Sequence, residues 1–192
     1  MKTLEEQMSF YAAYHQDARN KATHFVGVPL IILSLFIPMA WLRFALGDLE
    51  VTGAMIFAAM VLAYYFALDL PLALAMVVVT GLLAWAGDAI AMQGYYSGLA
   101  WFGALFVGGW ALQLWGHVYE GRKPALVDNL FQIFVAPIFL AAEIFFALGY
   151  RPQLHQAVQK RALEMRARDG VVEKGGQSNI SSGDGGAARA GS

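Results

Sequence analysis

Cysteine is absent from the 192 residues, so disulfides, iron–sulfur clusters and thiolate zinc sites are excluded at the outset. Charge is scarce too. Only 14% of the residues are Asp, Glu, Lys or Arg, against roughly 25% in an ordinary soluble domain. The formal net charge of −1 offers nucleic acid no global attraction, and no nucleic-acid partner is expected. Between Phe44 and Gly116 there is no Lys or Arg at all. A Gly-rich phosphate loop, an HExxH helix and a GxSxG serine are also missing, which sets aside nucleotide, zincin and serine-hydrolase chemistry. Four histidines are too few for the many-histidine di-iron centres of membrane desaturases, so a mononuclear site is the limit.

What remains is apolar: 58% hydrophobic residues and a mean hydropathy of +0.51. Five apolar stretches, near 26–43, 51–68, 70–92, 97–116 and 130–149, each approach the ~20 residues a helix needs to cross ~30 Å of hydrocarbon. Short loops around Gly47–Glu50, Asp69–Pro71 and Gln93–Ser97 separate the first four. The pattern predicts an all-α, polytopic membrane helix bundle. Residues 1–24 form an arm ahead of it. Thr3 and Glu6 fit a capping box opening a short amphipathic helix over 3–14. Asp17 can cap a second helix that runs into the first span. The Glu5–Glu6 pair and the aromatics near the start do not suit a secretory signal peptide. The bundle occupies 25–150. A basic amphipathic surface helix over 151–168 follows, with Leu154, Val158, Ala162 and Met165 on one stripe. Residues 169–192 are Gly/Ser-rich and read as a disordered tail.

Lys and Arg set the expected orientation, because cytoplasmic flanks are enriched in them. With a cytoplasmic N-terminus, four full spans return the chain to the same side at His117, next to Arg122 and Lys123. A fifth full span would then place the basic tail outside. Pro137 and Glu143 within 130–149 point instead to a broken or re-entrant fifth segment, with both termini cytoplasmic.

This topology brings His24, at the end of span one, and His117, at the end of span four, to one depth on one side. His15 lies just upstream. Three imidazoles at one level of a small bundle are a candidate metal site, suited to iron, zinc or copper. His15 and His24, nine apart, would face opposite sides of a continuous helix, so the chain must bend at Gln16–Asp17. Asn20 shares a face with His24, and Gln113, His117 and Glu120 form a stripe on span four. Glu120 is open to three roles: metal ligand, partner that fixes a His tautomer, or solvated loop acid. Glu143 and Asp88 lie in apolar runs where an ionised group is costly unless paired. Glu143 suits a role beside the metal or on a substrate path, and Asp88 a place at the interface. His155 belongs to the basic tail helix and is left out of the site.

Two stretches carry a family resemblance: Tyr14-His15, Asn20, His24, Gly27 and Pro29 (YHQDARNKATHFVGVP), then Gln113, Gly116-His117 and Glu120 through Ala125 (QLWGHVYEGRKPA). With the Pro137–Glu143–Gly149 run, they resemble the 2-hydroxy fatty acid (2-hydroxypalmitate) dioxygenase family over about residues 1–152. The resemblance implies a non-haem Fe(2+) enzyme of fatty acid alpha-oxidation. A 2-hydroxy fatty acid plus O2 would give the one-carbon-shorter acid, CO2 and water, with no external reductant. It implies His15, His24 and His117 on the metal, with Glu120 in the catalytic set. Tyr14, Asn20, Gln113, Arg122 and Glu143 then stand around the metal or the substrate. Membrane lipid surrounds such an enzyme, in the plasma membrane of a bacterial host or the endoplasmic reticulum of a eukaryotic one. Two rival classes stand beside it. One is a bis-His haem electron carrier using His24 and His117; the other is a non-catalytic lipid-binding or transport protein with Asp88 and Glu143 on a polar path.

Overall fold

The computed structural model of the chain describes residues 3–121 and 131–181, with side chains through residue 168. Helix α1 (Leu4–Ala13) opens on the expected capping box: the Thr3 hydroxyl accepts from the Glu6 amide at 3.2 Å, and the Glu6 carboxylate accepts from the Thr3 amide at 3.0 Å. Helix α2 (Ala18–Ala40) starts on Asp17, whose carboxylate accepts from the Arg19 amide at 2.8 Å. The Arg19 guanidinium on the same carboxylate, followed by that capping bond, holds the Asp17 pKa down to about 2. The break between the two helices is the bend that the His15–His24 spacing demands.

A hairpin follows, which corrects the all-α expectation. Strands β1 (Arg43–Leu46) and β2 (Leu49–Thr52) pair antiparallel, Arg43 opposite Thr52 and Leu46 opposite Leu49. Gly47, at φ 65°, takes the positive dihedral that a two-residue hairpin turn requires. Four-residue strands, β1 exposed throughout, show no alternation to read, so the sequence offered only a loop. Arg43 on β1 pairs with both Glu50 and Asp88, which places Asp88 in an ion pair at this end of the bundle.

Helices α3 (Gly53–Leu68), α4 (Leu70–Ala91), α5 (Tyr95–Glu120), α6 (Gln132–Ala147) and α7 (Pro152–Ser181) complete the chain. Three helices, α2, α4 and α5, are long and apolar enough to cross a membrane. Helices α3 and α6 have 16 residues each, about 24 Å at 1.5 Å per residue. The chain therefore has membrane character, and the span count rests on how α3 and α6 sit. Helix α7 runs on to Ser181, past position 168, and turns buried Val158 and Ala162 onto the core shared by α1 and α6.

Three ion pairs draw one end of the bundle together. Arg166 of α7 meets Glu120 at the end of α5; Lys21 of α2 meets Glu143 of α6 at 2.8 Å; Arg151, just before α7, meets Asp69 in the α3–α4 turn. The C-terminal ends of α5 and α6 thus lie at the end of the bundle where α2 begins.

Helices α2 and α5 pack along glycines. A Cβ on Gly109 would stand 2.7 Å from Ile31 Cγ1 and 3.1 Å from the Gly27 carbonyl oxygen, so the backbones touch where no side chain fits. This contact sets the separation of His24 and His117, one on each helix. Gly109→Val is expected to cost about 1–3 kcal/mol of overpacking. It should lower both the thermal midpoint in detergent and the metal content; an unchanged midpoint would show that the two helices have room to spare.

Candidate metal centre

The three histidines predicted from depth and spacing meet. His15, His24 and His117 are all buried, with one ligand atom from each lying within 4.8 Å of the others. Ring centroids are 4.6, 5.0 and 5.1 Å apart. His155 takes no part; it stacks on Phe146 at 4.6 Å.

Backbone carbonyls orient two of the rings. His15 Nδ1 donates to the Tyr11 carbonyl at 2.7 Å, and His24 Nδ1 donates to the Asn20 carbonyl at 2.9 Å. A carbonyl only accepts, so each Nδ1 carries the hydrogen and each neutral ring turns a bare Nε2 lone pair inward. The Tyr11 ring stacks on His15 at 3.9 Å and 6°, fixing its plane. Burial, followed by the neighbouring His24, holds the His15 pKa well below the ordinary imidazole range, so the ring is neutral at pH 7. His15 Nε2 and His24 Nε2 stand 3.2 Å apart. Two lone pairs facing at that distance repel unless a cation lies between them. Neighbouring ligands held about 2.0–2.1 Å from one ion, at tetrahedral or octahedral angles, stand about 2.8–3.4 Å apart. The donor set suits a metal ion, and the His15–His24 spacing is that of two ligands on one ion.

Glu120 is neither solvated nor aimed at a ring. Its side chain is 1% exposed. One oxygen accepts from the Gln16 amide at 2.9 Å, the Asp17 amide at 2.8 Å and Asn20 Nδ2 at 3.2 Å; the other pairs with Arg166. Glu120 therefore clamps the turn that carries His15 into α2. Asn20 orients His24 through its carbonyl and ties to Tyr14 through its amide, which donates to the Tyr14 carbonyl at 3.3 Å. The Tyr14 ring packs on Phe10. Glu143 is held by Lys21, and Arg122 lies outside the described residues.

The histidines close one end of an apolar cavity of about 220 Å³. Along α2 its wall runs from His24 to Phe36, about 18 Å of helix. Gln113, one turn before His117, also lines it. So does Gln132, which sequence reasoning passed over. The signal was present: a Gln two places into the 130–149 apolar run, where Pro137 and Glu143 drew attention instead.

The family model described as 2-hydroxy-palmitic acid dioxygenase Mpo1-like matches residues 1–148. The 2-hydroxy-palmitic acid dioxygenase MPO1 of Saccharomyces cerevisiae is 32% identical over 170 residues, covering 86% of this chain and 92% of the yeast protein. No solved structure matches. The family match contains every histidine of the cluster and nearly the whole helical bundle, and the chain belongs to the Mpo1-like family of 2-hydroxy-palmitic acid dioxygenases.

Proposed function

We propose that the chain is an Fe(II)-dependent dioxygenase that converts a 2-hydroxy fatty acid and O2 into the one-carbon-shorter acid, CO2 and water. The observation that carries this reading is the convergence of three buried imidazoles on one point at the end of an apolar cavity. His15, His24 and His117 would hold the iron. Bound there, it supplies activation of O2 and a Lewis acid for the polar end of the substrate. The chain's own groups do the rest. Tyr11 and Asn20 carbonyls keep the Nε2 atoms unprotonated and aimed inward. Apolar side chains of α2, α3 and α6 exclude water and take the alkyl tail. That burial is favourable by about 0.8 kcal/mol per CH2 relative to water, and by much less relative to lipid. Lys21 stays engaged with Glu143 and is not spent on the carboxylate.

The rival classes fit less well. A haem between His24 and His117 would need the space that His15 occupies, 3.2 Å from His24 Nε2. A polar transport path through Asp88 and Glu143 is interrupted, since Arg43 takes the first and Lys21 the second. Iron analysis with product identification from 2-hydroxypalmitate under air and under nitrogen tests the reading. Bound iron and oxygen-dependent release of the shorter acid are expected. Iron-free protein, or product formed equally under nitrogen, would overturn it.

The same reading includes the topology: cytoplasmic termini, a metal centre at the cytoplasmic leaflet and a re-entrant α6. It is supported by the ion pair that returns the end of α6 to the start of α2. Because the chain has no cysteine, Ser178→Cys is a unique label site. Modification only after permeabilisation, or only from the cytoplasmic face, is expected, and labelling from outside intact cells would reverse the orientation.

A further inference from the structure

Opposite the histidines, the apolar cavity ends on a packed floor. Among the described residues its lining stops at Phe36 on α2 and starts at Phe57 and Ala58 on α3. Past that level the bundle is solid. Phe36 is 1% exposed and packs with Ala54 and Ala58. Ile37 and Ala40, which follow it on α2, are fully buried with Ala91. The backbone of α4 also bears on Phe36, since a Cβ on Gly87 would stand 2.8 Å from Phe36 Cβ. The Phe57 ring meets the Phe36 ring edge-on, with centroids 6.4 Å apart. Side chains on a helix lean toward its N-terminus, so Phe36 tilts back toward the histidine end and cannot withdraw from it.

A floor fixes a length. His24 and Phe36 lean the same way along α2, so the floor lies about 18 Å from the histidine level. An extended chain advances about 1.2 Å per bond, as the polypeptide backbone does over the three bonds of each residue. The interval therefore takes roughly fifteen bonds, the length of 2-hydroxypalmitate laid straight. We infer that Phe36 and Ala58 set the longest acyl tail the enzyme accepts. The inference rests on the proposed dioxygenase reading, which puts the polar head of the substrate at the histidines. Ala58 lines the cavity, whereas Ala54, one turn before it on α3, lies in the packed cluster beneath. Bulk added at Ala58 thus enters the space of the last carbons of the tail, and bulk removed at Phe36 extends that space.

Ala58→Leu and Phe36→Leu test this in the full-length protein in detergent, with 2-hydroxylaurate, 2-hydroxypalmitate and 2-hydroxystearate as substrates. Iron content, thermal midpoint, kcat/KM for each acid, and equilibrium binding of laurate and palmitate are the readouts. One surplus methylene in a hydrophobic pocket is worth about tenfold or more in discrimination. Ala58→Leu is expected to keep its iron and to raise the kcat/KM ratio of 2-hydroxylaurate over 2-hydroxypalmitate by about tenfold. Its binding preference should move from palmitate toward laurate in parallel. Phe36→Leu should raise the ratio of 2-hydroxystearate over 2-hydroxypalmitate by a similar factor. A change that only loosened the bundle would lower every acid alike and leave both ratios where they were. If either leucine variant melts too low to assay, Ala58→Val decides, with a smaller shift in the direction of Ala58→Leu. Unchanged ratios and unchanged binding preference in the Ala58 variants would show that the tail does not reach this floor and overturn the inference. Absence of turnover in the unsubstituted protein, with the length-dependent shift in binding intact, would instead sink the dioxygenase reading and leave the floor as a stop for the tail.

Discussion

Alanine at His15, His24 or His117, one at a time, is expected to empty the metal centre and abolish turnover, while His155→Ala keeps both. The expectation follows from geometry. The three rings are the only cluster of potential ligand side chains among the described residues that closes on a point. Loss of one leaves two nitrogens to bind an ion in a buried apolar pocket, and an ion short of ligands there is not compensated by water. Even partners that only orient ligands change metal affinity by about 10–100-fold when removed, so loss of a direct ligand should exceed that. His155 serves as control because it stacks on Phe146 and not on the cluster. Iron by elemental analysis and oxygen-dependent product formation are the measurements. Full iron and full activity in any one of the three variants would remove that histidine from the centre.

Much of this centre was legible from residue positions, and for physical reasons. The Thr3–Glu6 box and Asp17 cap are local, so the break between α1 and α2 could be placed from adjacent residues alone. Span length then gave the expectation that His24 and His117 share one level, and the two rings meet with centroids 5.1 Å apart. Two features were hidden because they are non-local. Glu120 finds the Gln16 and Asp17 amides across about a hundred residues of chain, and its neighbours in sequence do not announce that pairing. The stripe of Val158 and Ala162 suited a membrane surface equally well, and only the fold shows α1 and α6 covering it. The β1–β2 hairpin was not legible because strands of four residues, β1 exposed throughout, carry no periodic signal.

Glu120 carries the second large expected effect, and its variants separate positioning from direct participation. Glu120→Ala would strip the acceptor from two turn amides and the Asn20 amide and leave Arg166 facing a gap. Breaking a buried pair by removing one partner costs about 3–5 kcal/mol, and the lower end applies because Arg166 is partly exposed. The turn that delivers His15 should loosen, so the thermal midpoint falls and iron affinity drops by about 10–100-fold. Excess iron should then restore turnover in Glu120→Ala but not in His15→Ala, because the ligand set is displaced in the first and incomplete in the second. Arg166→Ala should weaken the same turn through the same carboxylate, and the double variant should lose less than the two single losses added. A Glu120→Ala protein with normal melting and normal iron affinity but no turnover would instead place the carboxylate in the reaction itself, because the clamp predicts that iron retention and stability fall together.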